Sequence, residues 1–217
     1  MRDGYSNSYI EAYDLLYAYF GQQGWWPAET PLEVMVGSVL TQNTNWINVT
    51  KAIDNLRQKG LLVYPQLLEI SVDQLAEYIR PSGYYNLKAK RLHNLLEMIN
   101  VCYDGNLDCF LEDGMESARE NLLNVKGVGQ ETADSILLYA CGQPVFVIDT
   151  YTHRVFSRHN LVEEETDYQT MQTVFMDHLP EDTQLFNEFH ALIVLVAKQF
   201  CKKTNPDCER CPLLGLR

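Results

Sequence analysis

The chain has 217 residues, of which 46% are hydrophobic, and a formal net charge of −12. This length and apolar content suit one large domain or two small ones with a real core. The sequence contains no apolar run of the roughly 18 residues that a membrane-spanning helix needs, and its first residues, MRDGYSNSYIEAYDLL, lack the pattern of a secretory signal. We therefore expect a cytoplasmic protein.

The acidic balance argues, on its own, against nucleic-acid binding, because phosphates favour basic surfaces. Net charge does not describe local patches, however. One stretch without acidic residues, from position 78 to 96, contains four basic side chains, which are Arg80, Lys88, Lys90 and Arg91. A second basic group follows at Arg154 and Arg158. These residues form either a solvated helix face or a local basic surface, and composition does not separate the two.

Apolar residues follow a helical period along almost the whole chain. Near the N-terminus, YIEAYDLLYAYF repeats them at spacings of three and four, and Thr30-Pro31 marks the next helix by an N-cap and a first-turn proline. Gly60 and Gly83 lie where helices should end. Only PVFVI, at 144 to 148, has the pattern of a short strand. The sequence predicts an all-α fold of about ten helices joined by short loops.

All three tryptophans lie in the first quarter of the chain. Trp25 and Trp26 precede Pro27, directly before the helix capped at Thr30, and Trp46 follows LTQNT. An isolated tryptophan usually belongs to the core. Two adjacent tryptophans in a loop cannot easily both face inward, which makes this loop a candidate aromatic binding surface.

The segment LLNVKGVGQETADSILLYA places a glycine turn between two helices, the first over 115–124 and the second from near Gln130. Gly127 and Gly129 permit a tight turn and a close backbone approach. The second helix then presents unpaired N–H groups and the positive end of its dipole, which suit a phosphate, and Lys126 could add a contact. An ordinary helical hairpin is the alternative.

The six cysteines form two groups. The first is scattered among apolar residues and is expected in the core: Cys102, Cys109 and Cys141. The second crowds the C-terminus with the spacing C-x6-C-x2-C: Cys201, Cys208 and Cys211. In a cytoplasmic chain, this spacing favours a metal site over disulfides.

The order of these motifs resembles that of the endonuclease III superfamily of DNA glycosylases. The segment LLNVKGVGQETADSILLYACGQPVFVIDTYTHRVFSR resembles its helix-hairpin-helix and Gly/Pro-Asp loop, and VGSVLTQNTNW resembles the segment that supplies a glutamine to the DNA gap. The resemblance covers nearly the whole chain. It implies that Asp149 stabilises an oxocarbenium-like sugar and orients water, and that Gln42 enters the gap. From the residues alone, Asp149 is also a good helix N-cap.

Glu131 occupies the position at which the bifunctional members of that superfamily carry a lysine. That lysine attacks C1′ of the sugar as an amine nucleophile. A carboxylate cannot form a Schiff base, so the resemblance implies a monofunctional glycosylase that hydrolyses the N-glycosidic bond with water and lacks AP-lyase activity. An acid also suits the first turn of a helix for purely structural reasons.

The stretches WWP, TQNT before an aromatic, RPSGYYNLKAKRL and KGVGQETADSILLYAC are similar to the 3-methyladenine DNA glycosylase III branch. In that branch the flipped base is sandwiched between aromatic side chains. The resemblance places the base pocket at Trp25, Trp26, Pro27, Trp46 and Glu131. N3-methyladenine is cationic, and aromatic faces attract a cation by about 1–2 kcal/mol or more when desolvated. Alkylated bases, 3-methyladenine first, are the implied substrates.

Cys201, Cys208 and Cys211 match the first three ligands of the superfamily's C-x6-C-x2-C-x5-C loop. The resemblance implies a structural [4Fe–4S] cluster on these thiolates. The fourth ligand position falls on Arg217. A zinc site of three cysteines and one histidine is the alternative, and a metal-free tail comes third.

Together, the motifs predict an all-α, two-lobed helix-hairpin-helix glycosylase fold with a C-terminal cysteine loop. One lobe is a six-helix barrel over 24–132, and the other combines 1–23 with 133–217. We expect a nucleoid-associated monomer that binds double-stranded DNA with damaged bases through Gln42, Lys88, Lys90, Lys126, Gly127, Gly129 and Arg154. The alternatives are a mismatch glycosylase for adenine or thymine, and a non-catalytic DNA-binding iron–sulfur protein.

Overall fold

The computed structural model describes residues 8–216, and this part of the chain is helical, without β-strands. Its twelve α-helices are α1 (Ser8–Phe20), α2 (Pro31–Leu40), α3 (Trp46–Gln58), α4 (Gln66–Glu69), α5 (Val72–Tyr78), α6 (Tyr85–Cys102), α7 (Leu107–Leu111), α8 (Met115–Asn124), α9 (Gln130–Tyr139), α10 (Thr150–Arg158), α11 (Tyr168–His178) and α12 (Thr183–Gln199). Two short 3₁₀ helices span Arg80–Ser82 and Cys208–Arg210. The all-α prediction is confirmed. Within the described range, no helix combines the length and the apolar character that crossing a membrane requires.

The chain divides into two compact units. The central unit comprises Ala28–Gln143, and the discontinuous unit comprises the chain up to Pro27 together with the chain from Pro144 onward. The sequence analysis placed the division at residues 24 and 132. Position 132 falls inside α9, which packs on α2 and α8 and therefore stays whole within the central unit.

Helix α2 forms the middle of the central unit, where nine of its ten residues are buried. It packs against α3, α6 and α9. The helix begins as predicted, because Thr30 Oγ1 accepts a hydrogen bond from Glu33 N and Pro31 occupies the first turn. Glu33 is buried, and its carboxylate pairs with Arg57 of α3 at 2.7 Å. That partner offsets the cost of removing the charge from water.

In the discontinuous unit, α12 packs on α1 and α10, and α1 also packs on α11. Aromatic rings fill the core between these helices, with neighbouring centroids 4.4 to 6.2 Å apart: Tyr9, Phe146, Phe156, Phe175 and Phe189. Rings at these distances bury large apolar areas and attract one another in offset or edge-to-face geometry. This dense core gives α10 and α12 a rigid support.

The strand predicted at 144–148 is wrong. Val145 to Ile148 are buried, as an apolar run suggests, but no neighbouring strand pairs with them in the described chain. Side chains take over part of that hydrogen bonding. Gln172 Nε2 donates to Phe146 O at 2.7 Å, and Ile148 N donates to Tyr168 Oη at 3.4 Å. The segment is a buried connection that ends at Asp149.

The first cysteine group also differs from its expectation. Cys102 and Cys109 are exposed, and Cys141 is half-buried. Cys102 is the last residue of α6, where the helix ends beside solvent. Burial raises the pKa of the Cys141 thiol to about 12, so this cysteine is unreactive at neutral pH.

Candidate active site and DNA-binding elements

Asp149 is the N-cap of α10, and both of its carboxylate oxygens have partners. Oδ1 accepts hydrogen bonds from Thr152 N at 2.7 Å and from Thr152 Oγ1 at 2.9 Å. Oδ2 lies 3.5 Å from Nε2 of His190, on α12. The Asp149 side chain is 11% exposed, so the carboxylate is nearly buried yet reaches the surface. The N-cap reading from the sequence is therefore confirmed, and it places a defined carboxylate at the end of a helix.

The environment of Asp149 keeps this carboxylate ionised. Burial by itself raises the pKa of the carboxyl, but the nearby His190 imidazole, 3.5 Å from Oδ2, and the two hydrogen bonds from Thr152 outweigh it and hold the pKa below its ordinary value. At neutral pH the group therefore carries a negative charge. A fixed charge with few water molecules around it can stabilise a nearby cation strongly.

The tryptophan loop, residues 21–27, belongs to the same unit as Asp149. Its start is fixed by Gln23, whose backbone N–H donates to Glu188 Oε1 of α12 at 2.6 Å. The Gln23 side chain donates to two carbonyls at the end of α1, at 3.0 and 2.9 Å. Trp25 and Trp26 are half-buried, with ring centroids 5.3 Å apart and planes tilted by 58°. Pro27 is exposed. The expectation that both tryptophans do not bury completely is confirmed.

In the central unit, Gln42 follows α2 and is tied to the hairpin. Its Nε2 donates to Gly127 O at 3.2 Å and to Thr132 Oγ1 at 3.0 Å. Its Oε1 accepts from Arg91 Nη1 at 2.5 Å. The Gln42 side chain is half-exposed, and both its amide nitrogen and its amide oxygen form hydrogen bonds. Trp46, four residues on, opens α3 behind the N-cap Asn45 and is half-buried.

Gly127 is the position in the hairpin turn that only glycine fits. Its φ of +103° lies in the region that side chains disfavour. A Cβ there would lie 2.3 Å from Cγ of Arg91. The predicted close approach is thus real, and the group that approaches is the arginine that also holds Gln42. The turn and the Gln42 loop are therefore coupled through the Arg91 side chain as well as through the direct bonds of Gln42.

The hairpin helices have the predicted bounds, with α8 over Met115–Asn124 and α9 from Gln130. Gly129 is the N-cap of α9 and supplies no side-chain hydrogen bond to the first-turn N–H groups. Glu131 is exposed in that first turn. The two helices are joined by Arg119 of α8, which donates to both carboxylate oxygens of the buried Asp134 of α9 at 2.7 and 3.1 Å.

The predicted phosphate contact of Lys88 is wrong. The Lys88 side chain is among the largest that are fully buried, and its residue is 1% exposed. Nζ donates to Leu40 O at 2.8 Å, to Thr44 Oγ1 at 2.6 Å and to Ser82 O at 2.8 Å. Burial, with a smaller effect of Arg91, lowers the pKa of Lys88 to about 8. This lysine instead anchors the loop that follows α2.

The other basic residues predicted to contact DNA fall into two groups, exposed lysines and one half-buried arginine. Lys90 and Lys126 are exposed and are available to a phosphate. Arg154 is half-buried, and its guanidinium donates to Cys201 O at 2.8 Å and to Ala197 O at 3.2 Å. It also lies over the ring of Tyr151, 5.1 Å from the centroid. These contacts hold the start of the cysteine loop.

The cysteine loop has the right kind of donor atoms but does not form a metal site in this structure. Cys201 is buried, Cys208 is exposed and Cys211 is half-buried. Burial raises the pKa of the Cys211 thiol. Between residues 8 and 216, no group of three or more His, Cys, Asp or Glu side chains is placed to hold a metal ion. The fourth ligand position, Arg217, lies outside the described residues.

Three residues of these elements were missed by the sequence analysis: His190, Glu188 and Arg91. His190 and Glu188 occur in FNEFHALIVLVAKQF, a segment whose apolar pattern predicts a core helix. A single histidine or glutamate in such a helix gives no sign of its partner. Arg91 was noted only for its charge. The spacing of Thr152 three residues after Asp149 is the one local signal available, because an N-cap side chain bonds to the third helical residue.

Comparison with known proteins identifies the family. Residues 36–181 match the family described as HhH-GPD superfamily base excision DNA repair protein. A Methanocaldococcus jannaschii protein named "Putative DNA repair glycosylase" is 44% identical over 98% of this chain and 97% of its own length. The structure of H. pylori 3-methyladenine DNA glycosylase (MagIII) bound to 1,N6-ethenoadenine is 32% identical, covers 88% of this chain and 97% of its own, and superposes with a TM-score of 0.75.

A non-covalent endonuclease III–DNA complex superposes with a TM-score of 0.80 over 97% of this chain and 94% of its own. At 23% identity, that likeness shows the shared fold. The family match and the two closer relatives show more, because they cover most of the chain at higher identity. The chain belongs to the HhH-GPD superfamily of base excision DNA repair proteins, and it is a DNA glycosylase.

Proposed function

We propose that this DNA glycosylase is monofunctional and releases alkylated bases from double-stranded DNA, 3-methyladenine foremost, with Asp149 as the catalytic carboxylate. The observation that carries the proposal is the state of Asp149, a nearly buried carboxylate with a lowered pKa, whose Oδ1 is fixed by Thr152 and whose Oδ2 lies 3.5 Å from His190. Departure of the base leaves positive charge on the sugar. The preorganised negative charge of Asp149 lowers the barrier for that step, and a carboxylate oxygen of Asp149 can also orient the attacking water.

The substrate class follows from the aromatic residues. Trp25, Trp26 and Trp46 are half-buried aromatic residues. An N3-alkylated adenine is cationic and leaves readily, so it needs no strong general acid, and stacking with cation–π attraction favours it over a neutral base. The likeness to the H. pylori 3-methyladenine glycosylase supports the same class. A damaged base also costs less to flip out of the duplex than an intact one.

Glu131 underlies the proposed absence of AP-lyase activity. It is exposed in the first turn of α9, directly after the glycine turn. Strand cleavage of the lyase type requires an amine that attacks C1′ and forms a Schiff base. A carboxylate at this position cannot provide that step. Base release then leaves an intact abasic strand.

The DNA contacts of the proposal come from the hairpin and its neighbours. The uncapped N-terminus of α9 behind Gly129 suits a phosphate, because its N–H groups and the helix dipole favour an anion. Two exposed cations accompany it, Lys126 directly before the glycine turn and Lys90 beside Arg91 in α6. We propose that Gln42 leaves its bonds to the hairpin when it fills the gap of a flipped base.

A [4Fe–4S] cluster on Cys201, Cys208 and Cys211 is the cofactor that we propose for the cysteine loop, with zinc as the alternative. The spacing C-x6-C-x2-C and the soft thiolate donors support it. No step of base release depends on this group. Anaerobically purified protein should be brown and contain about four iron atoms per chain, whereas colourless protein with one zinc would favour the alternative.

The proposed function is tested by a base-release screen. DNA methylated with a labelled reagent, a duplex with hypoxanthine, and duplexes with G·T and G·A mismatches are each incubated with excess enzyme at one salt concentration. Released bases are identified by chromatography. We expect 3-methyladenine to be released far faster than hypoxanthine, thymine or adenine. Preferred release of thymine or adenine from a mismatch would overturn the substrate assignment in favour of a mismatch glycosylase.

A further inference from the structure

Helix α12 carries a buried histidine that the mechanism above does not use. His190 is 7% exposed and lies among apolar residues of the helix, including Phe189, Leu192 and Ile193. Placing an imidazole in such surroundings costs free energy unless its polar atoms find partners. α12 packs against α10, and this contact brings the imidazole to the N-terminus of α10. The group that it meets there is Asp149.

The two oxygens of Asp149 are thereby held by two different helices. Thr152 of α10 holds Oδ1 through two hydrogen bonds of 2.7 and 2.9 Å. His190 Nε2 of α12 lies 3.5 Å from Oδ2. The second contact is long for a direct hydrogen bond, so it orients Oδ2 without binding it tightly. An arginine at this place would pair with both oxygens and occupy them, whereas a single imidazole nitrogen leaves Oδ2 accessible.

Burial and two neighbouring residues shift the pKa of the Asp149 carboxyl. α10 contributes Thr152, which has no charge, and α12 contributes His190, whose imidazole 3.5 Å from Oδ2 favours the ionised carboxylate against the effect of burial. Tyr168 of α11 bonds to the backbone N–H of Ile148 beside them. His190 is therefore the neighbour whose replacement should change both the orientation and the titration of Asp149.

We infer that His190 is a positioning residue, which fixes the Asp149 carboxylate across the α10–α12 contact and keeps Oδ2 free to act. This inference rests on the proposed catalytic role of Asp149. His190 touches neither base nor sugar in this account, and no proton passes through it. Its effect on base release acts entirely through the carboxylate that it orients.

The test combines two measurements, a titration of the Asp149 carboxyl without substrate and the rate of base release. Asp149 is followed by NMR of the ¹³C-labelled carboxyl carbon in wild type, His190→Leu and His190→Gln, and single-turnover release of 3-methyladenine is measured across pH. His178→Gln is the matched control, because His178 lies on α11 and bonds to Val174 O rather than to Asp149. Binding of an undamaged duplex and thermal unfolding are recorded for every variant.

We expect His190→Leu to move the Asp149 titration and the acid limb of the rate to higher pH, since the carboxylate loses the partner that favours its ionised form. Base release at neutral pH should fall by about 10- to 100-fold, because a loosened catalytic group is costly. His190→Gln should restore most of that rate, because its amide can donate to Oδ2, but not the acid limb, because the amide has no charge. Duplex binding and the His178→Gln control should stay at wild-type values.

An unchanged Asp149 titration together with an unchanged rate in His190→Leu would overturn the inference. If His190→Leu does not fold, His190→Gln decides, and a wild-type titration in that variant overturns the inference equally. Asp149→Asn is run in the same assay. Wild-type release by Asp149→Asn would reject the proposed catalytic role, while the NMR titration would still decide whether His190 controls the carboxylate.

Discussion

Among residues 8–216, two aspartates have side chains that are almost fully removed from water, one in each unit, and they are held in different ways. Asp134 of α9 has a side chain with 0% exposure and both oxygens bound by the guanidinium of Arg119. Asp149 has a side chain with 11% exposure, one oxygen bound by Thr152 and the other 3.5 Å from His190. The planar arginine fork neutralises Asp134 within the hairpin. The Asp149 carboxylate is oriented by Thr152 and His190 and has no such bidentate pairing with an arginine among its contacts described above.

The difference separates a structural carboxylate from a reactive one. A buried acid paired with arginine has no charge to offer to a substrate, and its removal leaves the arginine without its partner. An ionised acid that reaches the surface and is fixed by polar groups can stabilise a cation that forms beside it. Substitutions of the two carboxylates, and of residues in the hairpin and the proposed base pocket, test this separation.

Asp149→Asn should reduce single-turnover release of 3-methyladenine by about 10²- to 10³-fold, which corresponds to about 2.7–4 kcal/mol of barrier. The asparagine oxygen can still cap α10 through Thr152, so thermal unfolding should change little. Binding of an undamaged duplex should also be retained. A rate within a few-fold of wild type would remove Asp149 from the mechanism.

Asp134→Asn should show the opposite pattern. The substitution removes the negative charge that pairs with Arg119, whose side chain is only 22% exposed. We therefore expect the free energy of unfolding to fall by about 3 kcal/mol. The measurement is urea unfolding at a temperature at which both proteins are folded. The folded fraction should release the base at the wild-type rate, and a rate loss without a stability loss would contradict the structural role.

Gly127→Ala should destabilise the hairpin by about 1–3 kcal/mol, because the new Cβ meets Cγ of Arg91 and the backbone φ is +103°. The matched control is Gly129→Ala, two residues on, where nothing lies within 4 Å of a Cβ and φ is −101°. That change should cost below about 1 kcal/mol. Equal costs for the two variants would show that the contact with Arg91 is not a constraint.

Trp46→Leu should reduce the preference for a cationic base by about tenfold, in line with the 1–2 kcal/mol of a cation–π contact. The variant keeps apolar volume but removes the ring face. Its rates on 3-methyladenine and hypoxanthine are compared with those of wild type, with Trp26→Leu as a second arm. Equal losses on both lesions would mean that the tryptophans shape the site without selecting charge.

Local patterns predicted the elements that depend on local physics. The apolar period and the glycine turn gave α8 over 115–124 and the start of α9 near Gln130, both as observed. Thr30 and Pro31 began α2 as expected. The PVFVI run failed as a strand because its hydrogen-bond partners are the side chains of α11, Gln172 and Tyr168, which no local pattern reveals.

Candidate site residues that belong to a sequence motif could be predicted, whereas residues that reach the site only through the packing of helices could not. Asp149 and the tryptophans stand in recognisable sequence contexts. Lys88 was misread because a lysine gives no sign of burial, and its three oxygen partners come from residues 40, 44 and 82. His190 was missed for the same reason, since only the packing of α12 on α10 brings it to Asp149.

We propose that base release is hydrolytic and depends on the charge of Asp149 rather than on an amine nucleophile. Borohydride reduction during the reaction separates the two mechanisms, because it traps any Schiff base between enzyme and sugar. We expect wild type to release 3-methyladenine, to leave an abasic strand uncut until alkali is added, and to form no covalent adduct with DNA. A trapped enzyme–DNA adduct formed at the rate of base release would show that an amine nucleophile acts instead.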